Sequence, residues 1–162
     1  MTAGTSSRSA VVTLPTDTQI LITREFDAPR HLVYRAWTTP ELIKRWWGAD
    51  RGEVIAAELD LRVGGRWRYE TVTHDGFRFA FSGEYREIVT NERLVWTEVY
   101  EEMPEHEALN TLILIEHGGR TTFTVLIEHD SQESRDAHLD SGMEPGMQDA
   151  LRLLEQVAAA LR

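Results

Sequence analysis

The stretch that decides the fold is "FDAPRHLVYRAWTTPELIKRWWG", Phe26 to Gly48, because it reads as two short helices broken by a proline. Asp27 is placed to cap the first, with Pro29 in its opening turn, and Leu32, Val33, Ala36 and Trp37 form its apolar stripe. Pro40 would break a continuous helix, so Thr39 and Pro40 restart a second one. In that second helix Leu42 and Ile43 recur four residues later as Trp46 and Trp47, and Gly48 supplies the stop. Neighbouring residues on a helix are turned about 100° apart, so the two indoles cannot share the buried row. Trp46, which follows Leu42 on the more central row, is expected to anchor in the core, and Trp47 to border an opening.

On both sides of this helix pair the period becomes two. Upstream, "QILITREF" (Gln19 to Phe26) alternates Ile20, Ile22 and Phe26 with more polar neighbours and reads as the first strand, Arg24 being the charged exception on its apolar face. Downstream, Glu53 to Glu128 reads as an antiparallel meander. Within it, "RWRYETV" puts Trp67, Tyr69 and Thr71 on one face. "FRFAFSGEYREIV" alternates Phe77, Phe79, Phe81, Gly83 and Tyr85 against Arg78, Ser82, Glu84 and Arg86. "HDG" and "GG" mark hairpin turns, and the acidic "EEMPEHEA" reads as a solvated hairpin loop. After "HDSQESRDAHLDSGMEPG", taken as a loop with at most one helical turn, the period returns to 3.6 in "MQDALRLLEQVAAALR". Met147, Ala150, Leu151, Leu154, Val157 and Leu161 form one stripe, whose partner should be the aromatic face of the sheet.

Composition narrows the function classes. A chain of 162 residues with 41% hydrophobic content suits one domain with a sizeable core: a disordered tail over residues 1–10 and a single domain over 11–162. A net charge of -10 disfavours nucleic acid, and no apolar run spans a bilayer, so neither nucleic acid nor membrane is expected as a partner. The opening "MTAGTSSRSA" lacks the apolar centre of a secretory signal, which leads to an expected cytoplasmic location. Zero cysteines exclude disulfides and thiolate chemistry. The six histidines show no H-E-x-x-H spacing, there is no G-x-S-x-G turn, and "VGGRW" and "HGGRT" lack the lysine of a phosphate loop. No metal and no cofactor is therefore expected. His129 and His138 flank a loop beside the last helix and could converge near a cavity entrance.

The order strand, two short helices, long antiparallel meander and closing helix is that of the α+β helix-grip or START-like fold. It is a curved antiparallel sheet of about six or seven strands around a long C-terminal helix. Three blocks in order, "F-D-A-P", "W-T-x-P-E-L-x-x-x-W-W" and "L-R-x-G-G-x-W-R-Y", resemble the activator of heat-shock protein 90 ATPase homologue family of the START-like (SRPBCC) superfamily. The resemblance covers Gln19 to Leu161. It implies a sheet gripping the helix, often with a cavity between them, and it implies no single activity. Many members carry Gly-Trp where this chain has Gly146-Met147, a position that looks into the cavity in such proteins.

Within that frame the leading expectation is binding of a small, largely apolar molecule, lipid-like or polyketide-like, in a cavity between sheet and closing helix. Its expected lining is Trp47, Trp67, Tyr69, Phe79, Phe81, Trp96, Met143 and Met147. Arg24 and Glu98 each interrupt an apolar strand face. They are either a buried ion pair, polar anchors for a ligand, or side chains turned outward at an edge or bulge. The alternative is a cyclase- or hydrolase-type enzyme using the same cavity, and the second alternative a chaperone-interacting stress-response module, although the co-chaperone role belongs to larger relatives with a further domain. A homodimer is left open.

Overall fold

Alternating strands and two amphipathic stretches leave one apolar sheet face to be covered, and the computed structural model, which describes residues 9–162, shows how the chain covers it. The elements are β1 (Val11–Thr13), β2 (Gln19–Phe26), α1 (Arg30–Thr38), α2 (Pro40–Ile43), β3 (Gly52–Leu59), β4 (Arg66–Thr73), β5 (Arg78–Val89), β6 (Arg93–Tyr100), β7 (Glu107–His117), β8 (Arg120–Glu128), α3 (Gln132–Asp140) and α4 (Met143–Ala160). All strand pairs are antiparallel, in the order β1-β2-β8-β7-β6-β5-β4-β3. The chain is thus an α+β helix-grip protein with eight strands among the described residues, one or two more than the pattern suggested.

The extra strand is β1, a three-residue segment paired through Val12↔Ile22 and too short to show a period. The tail expected over residues 1–10 falls mostly outside the described residues, but its end does not behave as one. Ala10 is buried, its N–H donates to Gln148 Oε1 at 2.9 Å, and its carbonyl accepts from Gln148 Nε2 at 2.9 Å. Two helix boundaries also differ. The segment read as a loop after β8 contains the nine-residue α3, whose N-cap Ser131 accepts from the Ser134 N–H. Helix α4 begins at Met143, one turn before the expected Met147. Asp27 does not cap α1, since Pro29 holds that position and the Asp27 N–H instead donates to Glu155 Oε2 at 2.7 Å.

Helix α4 shows how strongly the sheet curves. Gln148 in its first turns is bonded to Ala10, just before β1, and Gly146 leaves room for the Arg51 guanidinium, just before β3. β1 and β3 are the opposite edge strands. A flat eight-stranded sheet would hold its edges about 33 Å apart at the usual strand spacing, so one helical turn can meet both only if the sheet wraps around it. The helix buries Ala150, Leu151, Leu154, Val157 and Ala158 directly into the core and packs beside α1.

Arg24 resolves to the first of its three readings, a buried ion pair. It is 3% exposed on the inner face of β2, its Nη2 lies 3.3 Å from Glu155 Oε1, and its guanidinium sits 4.8 Å from the Phe26 ring centre. Glu155 thereby ties α4 both to β2 and, through Asp27, to the start of the helix pair. Glu155→Ala should cost about 3 kcal/mol in urea denaturation because it removes a carboxylate that a buried guanidinium and the Asp27 N–H both bond. Replacing both partners, Arg24→Met with Glu155→Leu, should recover most of that loss.

Candidate functional site

The aromatic residues of β4, β5 and β6 rise from one face of the sheet, and the helix pair closes over them. From β4 come Trp67 and Tyr69, from β5 Tyr85, from β6 Trp96 and Glu98, while α1 contributes Trp37 and the segment after α2 contributes Trp47. These seven side chains line a cavity of about 10 Å³. That is space for one water molecule at most. Around it five of the rings meet in two groups, Trp37 to Trp96 at 5.8 Å, and Trp47 to Tyr69 at 5.0 Å with Trp67 to Tyr69 at 4.8 Å between centres, and Trp46 bridges the groups by contacting Trp37 and Trp47.

The two adjacent tryptophans divide their roles by depth. Trp46 is 2% exposed, packs on Trp37 at 4.8 Å and donates its indole N–H to the Ala36 carbonyl at 3.0 Å, which satisfies its one polar atom inside the core. Trp47 is only partly buried and lines the cavity. It follows a four-residue helix, and the chain after it passes through Ala49 at φ 50°, a left-handed conformation that a non-glycine residue seldom adopts.

Gly83 has a steric reason to be glycine. Trp67 pairs with it across β4 and β5, and the Trp67 indole N–H donates past it to the Thr97 carbonyl at 3.1 Å. A Cβ on Gly83 would run into the Thr97 carbonyl and lie 2.8 Å from Trp67 Nε1. Between the pairs Ser82↔Val99 and Tyr85↔Trp96, side chains take over the strand bonding, with the Glu84 N–H donating to Thr97 Oγ1 at 3.0 Å. Thr97 is thus held from both sides, and its neighbours Trp96 and Glu98 are aimed at the cavity.

Glu98 is the polar group of this site. Trp96 Nε1 donates to Glu98 Oε1 at 3.3 Å. The carboxyl is packed among aromatic carbon and stays partly accessible because it borders the cavity. Burial pushes its pKa from 4.5 up to about 7, against the smaller lowering effect of the Trp96 bond. Burial also raises the Tyr69 hydroxyl well above its ordinary value, with Tyr85 and Glu98 adding to the effect, and it raises Tyr85 likewise.

Of the residues expected to form a site, the structure brings together Trp47, Trp67, Tyr69, Trp96 and Glu98. Phe81 stands just behind them, edge-on to Trp47 at 6.2 Å, whereas Phe79 lies farther out against Phe77 and Tyr100. Met143 and Met147 belong to α4 and Arg24 to the ion pair, so none of the three lines the cavity. The cavity therefore sits beside the helix pair, and α4 supplies none of its walls. Helix α4 buries its apolar stripe in the core, and this cavity lies under the helix pair, where bulky planar rings leave a gap. Trp37, placed on the apolar stripe of the first helix, and Tyr85, placed on one face of its strand, also line the cavity. Both stood on the right stripe, but nothing in a period tells a wall from a filled interior.

Two other features stand apart. His129 Nε2 and His138 Nδ1 do meet, at 3.0 Å, and burial followed by the nearness of His129 and Arg51 pushes His138 down to about 4. They pair at the junction of β8 and α3 and do not line the cavity. A larger depression of about 790 Å³, bounded by Arg30, His31, Glu92, Arg93 and Glu116, is wide open and mixed in charge, so it offers no enclosure for a ligand. Among the described residues no group of three or more His, Asp or Glu side chains is arranged to hold a metal ion, and no helix is long and apolar enough to cross a membrane.

The family profile "Activator of Hsp90 ATPase homolog 1-like protein" matches residues 27–159. A crystal structure from Rhodobacter sphaeroides is similar with a TM-score of 0.86 and 25% identity, covering 94% of this chain and 99% of that one. A Mycobacterium smegmatis protein is similar with a TM-score of 0.79 and 25% identity, covering 95% and 99%. An AHSA1-like protein from Aeromonas hydrophila shares the fold at 20% identity, with a TM-score of 0.67 over 87% and 93%. No curated protein matches.

Two outcomes test the site as built. Gly83→Ala should lower stability by about 3 kcal/mol, since neither the Thr97 carbonyl nor the Trp67 indole can retreat without losing their bond. For Glu98 the sign follows from a folded pKa above the unfolded one. The folded state keeps its proton longer, so the stability held below pH 4.5 is lost as pH rises through about 7. Discounted for partial accessibility, the loss is about 2 kcal/mol. Glu98→Gln should remove it, and urea melts of the two proteins should therefore diverge between about pH 4.5 and pH 8.

Proposed function

The chain belongs to the Activator of Hsp90 ATPase homolog 1-like family, and from that membership and the aromatic cavity we propose that it binds a small, largely apolar molecule. Folds of this START-like kind typically hold hydrophobic ligands. The observation that carries the reading is the convergence of six aromatic side chains from α1, the segment after α2 and three strands on one carboxylate. A core that needed only filling would be served by aliphatic residues without the cost of burying Glu98. Aromatic walls with one convergent polar group are the ordinary make-up of a small-molecule site. On this reading the cavity of about 10 Å³ is the closed form of the site. Entry requires Trp47 to swing outward, and Trp47 is the one wall that is carried on irregular chain beyond a four-residue helix.

A second reading rests on the same carboxyl. Glu98 at about 7 in an apolar setting is poised to take or give a proton near neutral pH, as a general acid or base does. On this reading a cyclase- or hydrolase-type turnover, once a substrate is found, is lost in Glu98→Gln while ligand binding persists.

The test of the binding reading compares the adjacent indoles. Trp46→Ala should cost about 3–5 kcal/mol, the scale for a buried large aromatic. Trp47→Ala should cost much less and should change the affinity for Nile red, an uncharged apolar dye, measured by fluorescence titration alongside thermal melts. Equal losses of stability with unchanged dye binding would place both indoles in the core and remove the case for a site.

A further inference from the structure

Given that apolar-ligand reading, on which this inference rests, we propose that the cavity is selective for an organic cation, a ligand whose apolar body ends in a protonated or methylated amine. Four tryptophans and two tyrosines surround a single carboxylate, and no basic side chain lines the space. Indole and phenol rings present negative π faces that attract a cation, and tryptophan does so best. Two of the four indole N–H donors that could welcome an anion or a carbonyl are already committed. Trp67 Nε1 donates to the Thr97 carbonyl at 3.1 Å and Trp96 Nε1 to Glu98 Oε1 at 3.3 Å, which leaves Glu98 Oε2 without a donor among the described residues. A neutral apolar ligand would leave that carboxyl unpartnered in a nonpolar setting, whereas an ammonium group would pair with it and with the rings together. The net charge of -10 draws cations toward the molecule as a whole.

The site should also respond to pH. The titratable groups that face Glu98 are Tyr69 on β4 and Tyr85 on β5, both kept protonated by burial, while α1 and the segment after α2 bring only Trp37 and Trp47, which do not titrate. Deprotonation of Glu98 alone therefore governs the attraction. Because its carboxyl releases the proton near pH 7, cation affinity should rise about tenfold from pH 6 to pH 8, and that of an uncharged ligand should not.

The experiment is calorimetric titration of the wild-type protein at pH 8 with benzyltrimethylammonium and with neopentylbenzene, in which carbon replaces the charged nitrogen at nearly the same shape. The expected result is at least about tenfold tighter binding of the cation, weakened about tenfold at pH 6 and in Glu98→Gln at pH 8. The wild-type comparison and its pH dependence need no variant, so a poorly folded Glu98→Gln does not rescue the idea. Equal affinities for the two probes, or binding of the uncharged one alone, overturn cation selectivity and leave the apolar site standing. Nile red binding with neither probe bound has the same meaning. Absence of binding by all three overturns both readings.

Discussion

A curved antiparallel sheet with one apolar face cannot stand in water, and everything in this molecule follows from how three helical segments divide that face. The long helix takes the groove where the two sheet edges approach each other, and it is held at both ends by polar contacts, Gln148 with Ala10 and Glu155 with Arg24. The short helix pair takes the remaining surface over β4 to β8. Aliphatic side chains of α4 close tightly on what they cover. Indoles do not, because large flat rings meet edge to face and leave gaps at their corners. The position of the cavity is the residue of that unequal packing.

Two charged residues on inner strand faces illustrate the two ways a fold can accommodate a buried ion. Arg24 sits where a helix can supply a counter-charge, and the pair fastens layers together. Among the described residues Glu98 has only an indole N–H, so it meets the cost of burial by holding its proton more tightly. The first arrangement is a structural joint. The second is a group left in a state that a ligand could improve, which is why the functional reading gathers at Glu98 and not at Arg24.

Much of the fold was legible because periods are local. The first long strand, the alternation of the meander, the break at Pro40 and the stripe of α4 all depend on residues near one another in sequence. What escaped was too short or too polar to carry a period: the three residues of β1, and α3, whose start is marked by little more than a serine cap. The site was legible in half. Trp67, Tyr69, Trp96 and Glu98 share inward faces of adjoining strands, so one register brings them together. Met143, Met147 and Phe79 share the apolar character but not the place.

The sequence by itself determined the order of elements, the face each strand turns inward, the family and the two charges that had to be explained. Only the tertiary structure decided which partner each charge found, and on which side of the helix pair the space remained. Those outcomes depend on the curvature of an eight-stranded sheet and on the fit of large rings against it, and both are set by contacts between residues far apart in the chain. No local pattern records whether a buried tryptophan meets another side chain or a gap.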